Sequence, residues 1–279
     1  MRLRLYHHTD GARIAYRETG TGPTLCLLHS AMLSHKEWEP IVESLSDRFR
    51  LVLPDLPLHG DSEAGRGYPY TREWFLDVLA GFSAEVLGSR PILGGHDLGA
   101  ELVLHAVLGG RIQPTRVVLM PNRMHGRASH DRLRRTWRIA VRAAAVPGLD
   151  RVLSYGAQAV FRPELGPKLS ARATPEASDL VRHAFADVGG NAPLARSWAR
   201  FAARWPSGPQ DQLLGAYPGL TQPVLLLWAD ADALHPVSLA EEALELIPAA
   251  QLRVLAGTGY LLAYDDPVGV ARELAAFCV

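Results

Sequence analysis

The stretch Pro91-Ile92-Leu93-Gly94-Gly95-His96-Asp97-Leu98-Gly99 constrains the fold of this chain more than any other. An apolar run of strand type leads straight into a Gly-x-Asp-x-Gly sequence. Small residues on either side of Asp97 allow a sharp, strained turn from a strand into the N-terminus of a helix, with the central side chain standing clear of the backbone. A carboxylate held in that way is a candidate for nucleophilic or acid/base work.

The surrounding pattern agrees with a strand-turn-helix unit repeated several times. Short apolar runs at 24–28, 50–53, 91–93, 116–120, 224–228 and 251–255 alternate with longer stretches of helical period, which predicts a mainly parallel sheet wrapped by helices. Ahead of them, residues 2–8 and 12–18 alternate apolar and polar around Asp10-Gly11, as an antiparallel hairpin would. Phe75, Leu79, Phe82 and Val86 recur at helical spacing behind Thr71, a good N-cap residue. Ser238 with Glu241 reads as a capping box, and Asp266-Pro267 as an N-cap and first-turn proline.

Between the runs at 116–120 and 224–228 no strand pattern occurs. That interval is punctuated by Pro147-Gly148, Gly166-Pro167, Gly189-Gly190 and Pro206-Ser207-Gly208-Pro209, so residues 123–220 are expected to form a helical cap, with 1–122 and 221–279 as the core. Leu194, Trp198, Phe201 and Trp205 fall on one helical face, which either packs the cap on the core or lines a pocket. The arginine-rich segment 132–138 reads as a solvated face.

Lysine and arginine together number 29, balanced by 29 acidic residues. Without a net field, polyanions are poor partners, so neither nucleic acid nor a membrane is expected. No run of 18 apolar residues and no leader-like N-terminal segment occurs, which points to the cytoplasm. The two cysteines, Cys26 and Cys278, lie far apart, and Cys26 sits in a strand-like apolar run, as a core thiol would. No histidine and carboxylate spacing suits a metal ion.

Four signposts, in order, resemble the α/β-hydrolase superfamily. Leu27-Leu28-His29-Ser30-Ala31 is similar to the His-Gly oxyanion segment, with Ser30 in place of glycine. Asp55-Leu56-Pro57-Leu58-His59-Gly60-Asp61-Ser62 is similar to the Asp-x-x-Gly-x-Gly-x-Ser loop. Gly95 to Gly99 is the nucleophile turn, and Leu227-Trp228-Ala229-Asp230-Ala231-Asp232 resembles the strand and loop that present the acid. The resemblance implies the α/β-hydrolase fold, with an eight-stranded, mainly parallel sheet and a cap inserted after the sixth strand. An aspartate at the turn, preceded by histidine, is similar to the epoxide hydrolase and haloalkane dehalogenase branch, where the carboxylate forms an alkyl ester that a histidine-activated water cleaves. Leu98 departs from the tryptophan that binds halide in many dehalogenases.

The larger departure is Tyr260, which follows Gly259 at the family's histidine position. A phenol of ordinary pKa about 10 cannot take the place of imidazole as a base near neutrality. Three readings follow. In the leading one, Asp97 and Asp232, without an imidazolium between them, share a proton. Asp97 then acts as a general acid or base in a non-hydrolytic reaction such as cyclisation, isomerisation, elimination or epoxide opening. Tyr260 orients or donates, and the backbone N–H groups of Ala31 and Leu98 serve a developing oxyanion. The substrate is expected to be a small apolar molecule, of the kind found in specialised metabolism such as polyketide tailoring, held by Ser30, Tyr155, Trp198, Trp205 and Tyr217 without a cofactor. In the second reading His235, just beyond Asp232, is a relocated base for an epoxide-hydrolase-like reaction. In the third the chain is a catalytically inactive homologue that binds a small molecule. Homodimerisation is left open.

Overall fold

Along each strand successive side chains point to opposite faces, and the central apolar runs are buried on both. In β3 (Thr24–Leu28), Leu25 and Leu27 join one core cluster while Cys26 and Leu28 join another across the sheet. The same division recurs in β4 (Arg50–Pro54), β5 (Ile92–Gly95) and β6 (Arg116–Leu119), and all six residues of β7 (Val224–Ala229) are buried. With β1 (Arg2–His7), β2 (Arg13–Thr19) and β8 (Ala250–Leu255) they form one eight-stranded sheet, ordered β1-β2-β4-β3-β5-β6-β7-β8. The β1/β2 and β2/β4 pairs are antiparallel and the rest parallel. This computed structural model describes every residue except Arg66, residues 127–168, Asn191 and Ser207.

The chain leaves β3 for β4 on one side and returns to β5 on the other, so the crevice at the carboxyl ends of β3 and β5 is a topological switch point. Helix α1 (Glu39–Ser46) precedes β4, α2 (Arg72–Phe82) precedes β5, and α3 (Leu98–Leu108) leaves β5 through the aspartate turn. Thr71 caps α2 by accepting the Trp74 N–H, a contact worth about 1 kcal/mol.

Between β6 and β7 the described residues form α4 (Pro175–Gly190), α5 (Ala192–Arg204) and the short α6 (Gln212–Ala216), with no strand among them. The arginine-rich segment lies outside the described residues. On α5 and just beyond its end, Trp198, Phe201 and Trp205 are buried against the main cluster. Beside the aspartate turn, the Arg123 guanidinium grips both oxygens of buried Glu101 at 2.8 and 2.6 Å and donates to Gly208 O at 3.1 Å. Gln210 donates to Met124 O at 3.0 Å, so the start and end of the inserted segment meet on α3.

After β7 come α7 (Val237–Leu246), then β8, the one-turn α8 (Leu262–Asp265) and α9 (Pro267–Phe277). Asp266 caps α9 through Gly269 N–H, with Pro267 in the first turn. The capping box expected at Ser238 and Glu241 is not formed. Pro236, at φ −55°, occupies the cap position of α7 and makes no side-chain cap bond, so Ser238 is already inside the helix. No helix among the described residues is long and apolar enough to cross a membrane.

Candidate active site

The turn after β5 works because its two glycines have no room for a side chain. A Cβ on Gly95 would stand 2.4 Å from Gly99 C, and one on Gly99 would stand 2.4 Å from Leu28 O. Between them Asp97 adopts φ 44°, ψ −108°, outside the usual regions for an L-residue, at a cost of about 1–3 kcal/mol. The turn is tied down by Asp97 N–H to Pro121 O at 2.9 Å and Gly99 N–H to His96 O at 2.8 Å. The Asp97 side chain nevertheless remains 28% exposed.

Three elements converge on this carboxylate. From the end of β3, the Ala31 N–H donates to Asp97 Oδ2 at 3.2 Å. From the loop after β8, the Tyr260 hydroxyl donates to the same oxygen at 3.0 Å. From the loop after β7, His235 brings Nε2 to 3.7 Å from Asp97 Oδ1. That separation is too long for a direct hydrogen bond. Among the described residues no hydrogen bond runs from the Leu98 N–H, the other expected oxyanion donor, to the carboxylate.

His235 is held from behind. Its Nδ1 faces Asp232 Oδ2 at 2.9 Å, and a carboxylate there selects the tautomer that keeps the proton on Nδ1 and turns a lone pair on Nε2 toward Asp97. The other Asp232 oxygen accepts Leu234 N–H at 2.7 Å, while the Trp228 indole donates to His235 O at 2.9 Å. The side chains of His235 and Asp232 are 5% and 1% exposed, so both are shielded from competing water.

This arrangement corrects the leading sequence expectation. An imidazole stands between Asp97 and Asp232, so the expected direct pair of carboxylates is not formed, and a hydrolytic reaction is equally consistent with the site. Burial works to raise the Asp97 pKa. The opposing pull of His235, His96, the Ala31 N–H and the Tyr260 hydroxyl holds it below the ordinary carboxylate value. Burial, helped by the charges of Asp97 and Glu37, pushes the Tyr260 phenol well above its ordinary value, so it stays a protonated donor.

Behind the site lies a carboxylate that sequence reading missed. Glu37, 1% exposed, accepts the Ser30 N–H at 2.7 Å and the Ser30 hydroxyl at 3.0 Å, and it also pairs with His96 Nδ1. It thereby ties the segment carrying Ala31 to the strand end carrying Asp97. The serine in place of glycine at position 30 was the only local hint. His29 adds a second tie, with Nε2 accepting Leu56 N–H at 2.8 Å and Nδ1 donating to Ser30 O at 2.8 Å.

The pocket expectations divide. Trp198 lines a cavity of about 330 Å³ with Met32, Leu33, Leu58, His59 and Leu194. Leu58 stands where the resembled loop has glycine and accepts φ 80° there, a left-handed conformation costly for a branched side chain. Ser30 is completely buried on Glu37 and offers no pocket surface. Trp205 packs its ring against Phe75 and Phe201 at 5.5 and 4.9 Å, and Tyr217 is fully buried with its hydroxyl 3.4 Å from His125 Nδ1. Both therefore belong to the hydrophobic core. Tyr155 lies outside the described residues. His35, Asp55 and Asp61 bring three ligand-type atoms within 4.8 Å. Asp55 is already engaged by the N–H groups of His35 and Asp61, and Asp61 by Arg17, which makes this a loop lock.

The model of the alpha/beta hydrolase family matches residues 27–273. Over 268 residues the chain is 25% identical to the 2-(acetamidomethylene)succinate hydrolase of Mesorhizobium japonicum, covering 94% of this chain and 90% of that one. An uncharacterised hydrolase of Bacillus subtilis is 20% identical over 274 residues, 96% of this chain and 95% of its own length. Among solved structures, a thermophilic esterase from Thermogutta terrifontis superposes with a TM-score of 0.78 at 23% identity, covering 100% of this chain and 98% of the esterase. An epoxide hydrolase from hot-environment metagenomes gives 0.69 at 18% identity, covering 100% and 99%. At these identities the structural likeness speaks to the fold.

Proposed function

Because this chain belongs to the alpha/beta hydrolase family, we propose that it is a hydrolase whose nucleophile is a carboxylate, opening a small, largely apolar epoxide to a diol. In the first step Asp97 Oδ1 attacks a ring carbon. The carbon–oxygen bond of the epoxide breaks, and the ring oxygen keeps the electron pair and takes a proton from water. An alkyl ester on Asp97 results. In the second step a water gives a proton to His235 Nε2 and attacks Cγ of Asp97. The bond from Cγ to Oδ1 breaks, and the alkoxide recovers the proton from His235. The diol leaves, the carboxyl proton brought by the attacking water neutralises the hydroxide left by the first step, and Asp97 is regenerated as a carboxylate with an oxygen from water.

The observation that carries this reading is the line from Asp232 through His235 to Asp97 Oδ1, at 2.9 and 3.7 Å. A histidine oriented by a carboxylate and turned toward a strained, ionised aspartate is the constellation that ester hydrolysis needs. An epoxide fits better than an alkyl halide, because Leu98, directly after the nucleophile, offers no side-chain N–H to a departing halide.

A single turnover in ¹⁸O-water tests the reading. With excess enzyme over an aryl or alkyl epoxide, the Asp97 peptide should gain ¹⁸O while the first diol carries oxygen from the enzyme. His235→Gln should stop at an intact-mass adduct on Asp97. Diol that contains solvent oxygen in the first turnover, with an unlabelled Asp97, would exclude the covalent route.

A further inference from the structure

The two oxygens of Asp97 are not equivalent. Oδ1 makes no hydrogen bond among the described residues and faces His235. Oδ2 accepts two, from the Ala31 N–H at 3.2 Å and the Tyr260 hydroxyl at 3.0 Å. Building on the covalent reading above, we propose that Tyr260, which occupies the family's histidine position, is a catalytic oxyanion donor that stabilises charge on Asp97 Oδ2 while the alkyl ester is hydrolysed.

Once Oδ1 carries the alkyl group, Oδ2 is the ester carbonyl oxygen. Attack of water on Cγ moves the carbonyl electron pair onto Oδ2, and that pair re-forms the carbonyl when the bond to Oδ1 breaks and its electrons leave with the alkoxide. Donors already placed at Oδ2 need no reorganisation as the charge grows, which is the condition under which such contacts accelerate acyl transfer most. One donor is the backbone of Ala31. Among the described residues no hydrogen bond joins the Leu98 N–H to the carboxylate, so the second donor here is a side chain.

Tyr260 is built for a fixed donor. Its ring lies 4.5 Å from that of His96 and stacks on His235 at 5.8 Å with a 26° interplanar angle. The turn that carries it is pinned by Asp265, 1% exposed, which accepts the Gly259 N–H at 2.7 Å and the Ala171 N–H at 2.9 Å. A phenol that holds its proton cannot be the base, but it supplies one strong donor at a set point. Moving the histidine to the loop after β7 frees the position after β8 for this second task.

The test separates the two halves of the reaction. Rapid-quench intact-mass measurement follows formation and decay of the Asp97 adduct in wild type, Tyr260→Phe and His235→Gln with the same epoxide. In Tyr260→Phe the ester should form at nearly the wild-type rate and decay about 10²-fold more slowly, so that adduct accumulates. Thermal melting checks that the variant is folded. As a second variant, 3-fluorotyrosine at position 260 keeps the ring packing and strengthens the donor, and should hasten ester decay. If His235→Gln accumulates adduct while ester decay in Tyr260→Phe and the fluorinated protein stays at the wild-type rate, Tyr260 is a packing residue and the proposal fails alone. If Asp97 is never alkylated in any of the proteins, the covalent reading and this proposal fall together.

Discussion

The loops that follow β7 and β8 approach one carboxylate from neighbouring positions, and they bring opposite chemistry to it. The first carries an imidazole, His235, steadied by Asp232. The second carries Tyr260, a hydroxyl that burial keeps protonated. Their strands are adjacent and parallel, with Ala229 beside Leu255, so side chains from either loop can reach the same point. The family resemblance places the base on the second loop. Here the imidazole that faces Asp97 stands on the first, which teaches that the fold offers more than one route to the same place in space.

The comparison breaks most completely if the base is not His235. Asp232→Asn keeps the shape but presents an amide to Nδ1, favouring the tautomer with a proton on Nε2. Steady-state turnover of the epoxide should drop by about 10³–10⁴-fold. A rate within tenfold of wild type would mean that another group removes the proton.

The equivalence of the two loops is sharpened by exchanging their residues. The pair Tyr260→His with His235→Val places the imidazole after β8, and single-turnover ester decay should recover to within about 10²-fold of wild type, the loss being that of one oxyanion donor. Activity no better than that of His235→Gln would show that only the loop after β7 aims a base correctly.

A smaller effect concerns pH. Asp97 has its folded pKa held below the ordinary value, so it stays ionised as the medium is acidified through the usual carboxylate range. The rate of ester formation, measured in rapid-quench experiments, should therefore remain level down to about pH 4, near the ordinary aspartate value. An inflection at or above that pH would show that the first step is limited by something other than an ionised Asp97.

The smallest effect contrasts His235 with a histidine that only packs. His59, with Nδ1 on Pro57 O at 3.0 Å, has its pKa lowered to about 3, chiefly by burial and then by His29. The folded form thus binds this proton less readily than the unfolded chain does. Its contribution to stability is complete above the unfolded value of about 6.5 and is lost as pH falls toward 3. Denaturant titrations of His59→Gln between those limits should show a stability slope shallower by up to about 1.4 kcal/mol per pH unit. A slope unchanged from wild type would leave acid sensitivity to the other buried histidines.

Local chemistry made much of this molecule readable in advance. Gly95 and Gly99 stand in the sequence because Asp97 must turn sharply between them, and that requirement is visible within five residues. Strands β3 to β7 follow from short apolar runs buried on two faces, and Thr71 and Asp266 cap their helices through bonds that span three residues. Asp232 and His235 were visible as candidates from their place in the loop after β7.

Where those side chains point was decided only by the tertiary structure. Whether His235 faces Asp97 depends on how β7 lies against β6 and β8 and on the bond from Trp228 that fixes its backbone. Ser30 is closed off by Glu37, and Trp205 and Tyr217 are taken into the core, because burial is set by what distant segments place on top of a residue. A motif fixes the conformation of a few neighbouring peptides. The encounter of an imidazole, a phenol and a carboxylate from three separate loops follows from the packing of strands, and no local pattern of residues encodes it.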